Sequence, residues 1–135
     1  MNQQNSLEDV VIVNESDDEH RPGDVTVFRS AQAACAYLEH WWVEGGYGSA
    51  RGANGDRLLL AVDDGKNVFV ERREPCPNGV ELVQIWLLSA GGAVLAARRA
   101  KVRKRWTRIK LSEAEQAGVL PRSIQELISY VGFST

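Results

Sequence analysis

Two turn signals constrain this chain most: Asn54-Gly55 and Asp64-Gly65, with a strand-like run between them. Asn or Asp before Gly accepts the positive φ values of a two-residue type I′ hairpin. The intervening segment, residues 57–62, alternates with Leu58, Leu60 and Val62 on one face. After the second signal, residues 67–72 place Val68 and Val70 opposite Phe69. Residues 47–51 form a further candidate strand ahead of Asn54. Two tight turns in succession demand antiparallel pairing, because a parallel pair needs a crossover of a dozen residues or more. The middle of the chain is therefore expected to form a curled antiparallel meander.

Helical signals surround this meander. Ser30 is a good N-cap for a helix expected over residues 31–42, where Ala34, Cys35, Leu38, Trp41 and Trp42 trace one apolar face. Gly45-Gly46 would end it. Pro75-Cys76-Pro77-Asn78-Gly79 is a break, and residues 80–97 are apolar nearly all round. We read helices over 80–90 and 93–105 with a weak point at Gly91-Gly92, and a strand pair turning there as the alternative. Ser112-Glu113-Ala114-Glu115 and Ser123-Ile124-Gln125-Glu126 are capping boxes. The second opens a helix with Ile124, Leu127, Ile128 and Val131 on one face. The expected fold is α+β, a three- to four-stranded antiparallel meander packed by helices.

The N-terminal part reads differently. Residues 14–24 hold Glu15, Asp17, Asp18, Glu19 and the pair Pro22-Gly23, preceded by the short apolar run Val10-Val11-Ile12-Val13. That run is a first strand or a hook onto the core. The expectation is a flexible acidic arm over residues 1–24 and a single domain over 25–135. The start lacks the basic and long apolar stretches of a signal peptide, which makes a cytoplasmic location the default expectation.

Charge is unevenly distributed in the 135 residues. Residues 1–90 carry 7 basic and 15 acidic side chains, and residues 91–135 carry 9 basic and 3 acidic ones. The net charge of −2 argues against a general nucleic-acid binder. The segment 98–110 is the exception, with eight Lys or Arg in thirteen residues. Arg103, Lys104, Arg105, Trp106 and Arg108 are its candidate nucleic-acid contacts, the bases for phosphates and Trp106 for stacking. A solvated helix face, or pairing with the acidic residues 15–24, accounts for the same stripe. The apolar run 82–97 spans 16 residues, short of the roughly 20 that a membrane span requires.

Catalytic and metal-binding patterns are weak. Cys35 and His40 stand five apart, about 140° around a helix, so they would not meet directly. The Gly-rich stretches 45–48 and 52–55 are not strand-to-helix phosphate loops. Two Cys and two His leave little for a structural zinc site. We therefore expect no enzyme activity, no cofactor and no metal.

One stretch carries a family resemblance. Ser30, Ala31, Tyr37-Leu38-Glu39 and Trp41-Trp42-Val43 precede the turn Ala53-Asn54-Gly55-Asp56-Arg57-Leu58. Over residues 25–72 this order resembles the small bacterial immunity proteins of polymorphic toxin systems. The chain departs from that pattern after Glu74, where an apolar and then a basic segment follow. The resemblance implies binding and neutralising a cognate toxin domain, with acidic and aromatic side chains covering its active site. It carries over no set of inhibitory residues. Expected exposure selects the candidate contacts: Glu39, Glu44, Asp56, Asp63, Asp64, Glu71 and Glu74, with Trp42 and Tyr47 as anchors. Acidic groups of this kind complement the basic active sites of toxins that attack nucleic acid.

Overall fold

A computed structural model describes residues 7–103, 120, 121 and 123–134. Lys104, Arg105, Trp106 and Arg108, and the first capping box at 112–115, lie outside the described residues.

Among the described residues, five strands form one antiparallel sheet: β1 (Val11–Glu15), β2 (Asp24–Phe28), β3 (Ser49–Gly52), β4 (Arg57–Val62) and β5 (Val68–Glu74). Their spatial order is β2-β1-β3-β4-β5. The fold is α+β, with one strand more than the sequence suggested. Helices α1 (Ala31–Tyr37) and α2 (His40–Gly45) lie between β2 and β3 in sequence. Helices α3 (Gly79–Arg103) and α4 (Ile124–Val131) follow the sheet.

The extra strand is β1, and it corrects the expected boundary at Asp24. β1 pairs with β2 on one side and β3 on the other, with Ile12 opposite both Val27 and Arg51. Both its faces are covered. Val11 and Val13 join Phe28, Ala34, Leu38, Trp42, Ala50 and Leu58. Val10 and Ile12 join Val83, Trp86, Leu87, Leu127 and Ile128. A strand buried on both faces has no reason to alternate, which is why its sequence is an unbroken apolar run.

The acidic connection from β1 to β2 is tied down as well. Asn14 is fully buried; its Nδ2 donates to the Arg21 carbonyl at 3.2 Å and its Oδ1 accepts from the Gly23 N–H at 2.8 Å. Glu19 takes Arg51 at 3.1 Å and Arg57 at 3.0 Å on its two carboxylate oxygens. The Trp86 indole N–H donates to the Glu19 carbonyl at 2.7 Å. Arg51 is 2 % exposed, and its Nη1 also donates to the Gly55 carbonyl at 2.9 Å. Burial opposes its charge, but contacts with Cys76 and Glu19 outweigh that and raise its pKa.

Both meander turns fall where the dipeptides place them, but neither is a two-residue type I′ turn. In the first, the Gly55 N–H donates to the Gly52 carbonyl and the Gly52 N–H to the Asp56 carbonyl, closing a three-residue loop. In the second, Lys66 donates to Asp63, and Asp63 to Asn67. A type I turn followed by a left-handed residue gives this pattern, and only that residue needs positive φ. Gly55 fills the role at +92°, whereas in the second loop Lys66 does so at +65°, one position after the glycine.

Helix α3 runs unbroken through Gly91 and Gly92, so neither a break nor a strand pair occurs there. Two interior glycines weaken a helix by about 1 kcal/mol each relative to Ala. Both are buried, and a methyl group at Gly91 would meet Leu120 and Tyr130 at ordinary contact distance, 3.6–3.7 Å. The Ser123 half of the second capping box forms as read, its hydroxyl accepting the Glu126 N–H at 3.1 Å and donating to the Glu126 carboxylate at 2.8 Å. No helix among the described residues is long and apolar enough to cross a membrane.

Candidate functional site

Among the described residues the exposed aromatic side chains are Tyr37 and Trp41 on α1 and α2, Tyr47 just after α2, and Phe69 on β5. Ser30 caps α1 as expected, its Oγ accepting the Ala33 N–H at 3.1 Å. The helix then ends at Tyr37, where the sequence pattern runs on to Trp42. Leu38 and Glu39 adopt extended backbone at ψ 135° and 143°, and a second short helix starts at His40. Neither Pro nor Gly marks the break, so it is tertiary in origin. Its result is clear from burial. Ala34, Leu38 and Trp42 reach the sheet, while Tyr37 and Trp41 point outward at 58 % and 54 % exposed. Trp42 is 7 % exposed, which removes it as a surface anchor. Trp41 takes that position instead.

The following Gly-rich stretch fixes the neighbouring aromatic. Gly46 ends α2 in the left-handed conformation at φ +67°, with its N–H to the Trp42 and Val43 carbonyls. A methyl group at Gly45 would overlap the Tyr47 ring, and one at Gly48 would overlap the Trp42 ring. Tyr47 thus folds back over Gly45 and meets Trp41 edge to face, ring centroids 5.9 Å apart and planes at 68°. Tyr47 remains 55 % exposed, as the sequence reading required. Tyr37 rests on Phe28 with centroids 5.3 Å apart.

Carboxylates surround this aromatic group. Glu39 sits at the helix break and is exposed. Glu44 accepts a 2.8 Å hydrogen bond from His40 one turn earlier. That bond, helped by the Lys66 charge, holds the Glu44 carboxyl below its ordinary value. Glu15 ends β1, and strand alternation puts it on the same face as Val11 and Val13. Glu15, Tyr37, Leu38, Glu39, Trp41 and Trp42 together line a cavity of about 270 Å³.

The structure divides the remaining candidates. Asp63 and Asp64 lie at the β4–β5 turn, the end of the sheet nearer α2. Asp63 is engaged there: its Oδ1 accepts the Asn67 N–H at 2.9 Å, which holds its carboxyl below the ordinary range. Asp56 and Glu74 lie at the opposite end of β4 and β5, where Arg57 pairs with Glu74. Five strand residues, about 17 Å, separate the two ends. Asp56 accepts from the Asn54 amide at 3.1 Å. Glu74 takes Arg72 at 3.2 Å, and Glu71 lies at a register shift in the β4–β5 ladder. Charges and a bulge on an edge strand discourage further strand pairing, which accounts for this pair of glutamates without a ligand. Arg103 is the last residue of α3.

A second, larger depression of about 500 Å³ lies between α1 and β5, with Cys35 and Phe69 in its lining. Burial raises the Cys35 thiol pKa, the opposite of what a reactive nucleophile requires. Among the described residues, no group of three or more His, Cys, Asp or Glu side chains is placed to hold a metal ion.

Sequence reasoning missed Glu15, Tyr37 and Trp41. For the aromatics the sequence offered only a partial signal: in the continuous helix read over 31–42, positions 34, 38 and 42 would share one i, i+4 row and 37 and 41 the row beside it, but the helix breaks at Leu38 and Glu39. A sheet can bury only one such row deeply. Glu15 was hidden by the reading of its segment as an arm.

No family model matches the chain, and neither a curated protein nor a solved structure matches it.

Proposed function

We propose that this chain is a binding inhibitor, an immunity protein that docks on a cognate bacterial toxin domain and neutralises it. The observation that carries the reading is the aromatic group Tyr37, Trp41 and Tyr47, more than half exposed and bordered by Glu15, Glu39 and Glu44. Tyr and Trp are the residues that most often dominate protein interfaces, because they cover large area with few rotatable bonds. Here Trp41 and Tyr47 are held against each other, which lowers the ordering cost on binding. The acidic border supplies long-range attraction to a basic surface and speeds encounter. The partner class comes from the resemblance over residues 25–72, and the face from the exposed aromatics.

The test is a comparison of the wild type with a Trp41→Ala/Tyr47→Ala variant, each tagged in its native cells. The wild type is expected to retain, at moderate salt, a stoichiometric protein whose own toxicity it suppresses on co-expression. The variant should lose both the retention and the suppression. Recovery of nuclease-sensitive nucleic acid, lost when Arg103, Lys104 and Arg105 become Glu, would overturn the reading in favour of a nucleic-acid role.

A further inference from the structure

We propose that the cavity between the end of β1 and the α1–α2 break receives the guanidinium of an arginine side chain presented by the protein partner. The inference rests on the reading of this face as a protein-docking surface, and names what it grips.

Three aromatic residues and two carboxylates line the cavity, with Leu38 at its base and no basic residue among the six. Tyr37 and Trp41 are open to solvent. Glu15 and Glu39 enter from different elements, one from the end of a strand and one from the helix break. Neither is paired with a base among the described residues, whereas Glu19, Glu44 and Glu74 all are. The nearby basic side chains are engaged elsewhere: His40 hydrogen-bonds Glu44, and Arg51 and Arg57 pair with Glu19.

Aromatic faces attract a cation through their quadrupole, and a carboxylate accepts paired N–H donors. A planar guanidinium satisfies both demands at once, stacking on a ring while its edge meets a carboxylate. The volume of about 270 Å³ suits one long side chain. It falls below the roughly 300–1,000 Å³ of sites for drug-sized molecules. An uncharged apolar side chain would leave two carboxylates desolvated against it without compensation.

The experiment titrates the full chain with N-acetyl-arginine amide and follows the Trp41 indole N–H by NMR. N-acetyl-citrulline amide, equally long and planar but uncharged, is the control. The arginine probe should shift the Trp41 signal saturably, and citrulline should bind at least about tenfold more weakly. A Glu15→Gln/Glu39→Gln variant, altered only at exposed positions, should lose the response to arginine to a similar degree. Equal shifts from the two probes, no shift at Trp41, or an undiminished response in the variant would each overturn the proposal. The two readings fail separately. Toxin suppression lost in Trp41→Ala but intact in Glu15→Gln/Glu39→Gln would remove the arginine pocket and leave the docking face standing.

Discussion

The two sides of the sheet are built on different terms. On the α3–α4 side, Trp86, Leu87 and Leu127 are fully buried, and a 25-residue helix covers the apolar surface of β1 and β2. A polar cluster on that side, Glu19 with Arg51, Arg57 and the Trp86 indole, joins a loop, two strands and the long helix. On the α1–α2 side, two helices of seven and six residues rest on the sheet through Ala34, Leu38 and Trp42. Helices this short are unstable alone and depend wholly on such anchors. Their outer rows are left to Tyr37, Trp41 and the glutamates. Side chains that bury area stabilise the fold, and side chains left outside at the cost of exposed aromatic surface are free for a partner. Ile85 and Val80 on α3 and Phe69 on β5 are exposed too, but singly; the paired aromatics with carboxylates beside them are what support placing the proposed function on the α1–α2 side.

If the contrast holds, substitutions on the two sides should separate stability from binding. The largest stability loss is expected for Trp86→Ala, about 3–5 kcal/mol from the vacated core volume and the lost Glu19 hydrogen bond. Urea unfolding followed by circular dichroism measures it. Glu19→Ala comes next. It leaves the buried Arg51 without its counter-charge, and a fully buried pair broken this way loses about 3–5 kcal/mol. Glu19 is partly exposed, so about 2–3 kcal/mol is expected. A loss under about 0.5 kcal/mol would show that the loop is not fastened through this cluster.

Trp41→Ala should reverse the pattern. Stability is expected to fall by only about 1 kcal/mol, the worth of the edge-to-face contact with Tyr47, while partner affinity falls by about 2 kcal/mol or more, some thirtyfold. A large stability loss with unchanged affinity would mean that the two sides are not divided as described.

Smaller effects sharpen the account of the turns and helix ends. Lys66 stands in the left-handed conformation that glycine adopts freely. Lys66→Gly is therefore expected to stabilise by about 0.5–1 kcal/mol, the relief of strain exceeding the added entropy of the unfolded chain. Glu44 gives the weakest signal. Its folded-state pKa is depressed, chiefly by the His40 hydrogen bond, from the ordinary 4.5. The associated stability is fully present above that value and is lost as pH falls through the lower folded value. In His40→Ala the Glu44 midpoint should rise towards 4.5, as read by carboxyl carbon chemical shifts.

Much of the fold was legible where local chemistry decides. Ser30 and Ser123 cap the helices they were expected to cap, and both meander turns occur at their dipeptides. The positions of β3, β4 and β5 followed from those turns. Distant contacts hid the rest. Val11–Val13 carry no alternation because both faces of β1 are covered, so the run resembles a hook as readily as a strand. The acids at 15–19 look like a solvated run, yet Glu19 is fastened by residues 32 and 38 positions further along. Trp41 and Trp42 are indistinguishable by type. Their opposite fates depend on a helix break that neither Pro nor Gly announces. The candidate site was accordingly half legible: Glu39, Glu44 and Tyr47 belong to the exposed face, Trp42 does not, and Glu15, Tyr37 and Trp41 emerged from the fold.

The most direct measurement is suppression of toxicity by matched variants. The toxic partner recovered with the wild-type protein is co-expressed with the wild type, with Trp41→Ala/Tyr47→Ala, or with Glu71→Ala/Glu74→Ala on the guarded edge strand. Each variant is first shown by circular dichroism to be folded. The account predicts normal growth with the wild type and the edge-strand variant, and growth arrest with the aromatic variant. Normal growth with the aromatic variant would contradict the assignment of the α1–α2 side as the inhibitory face.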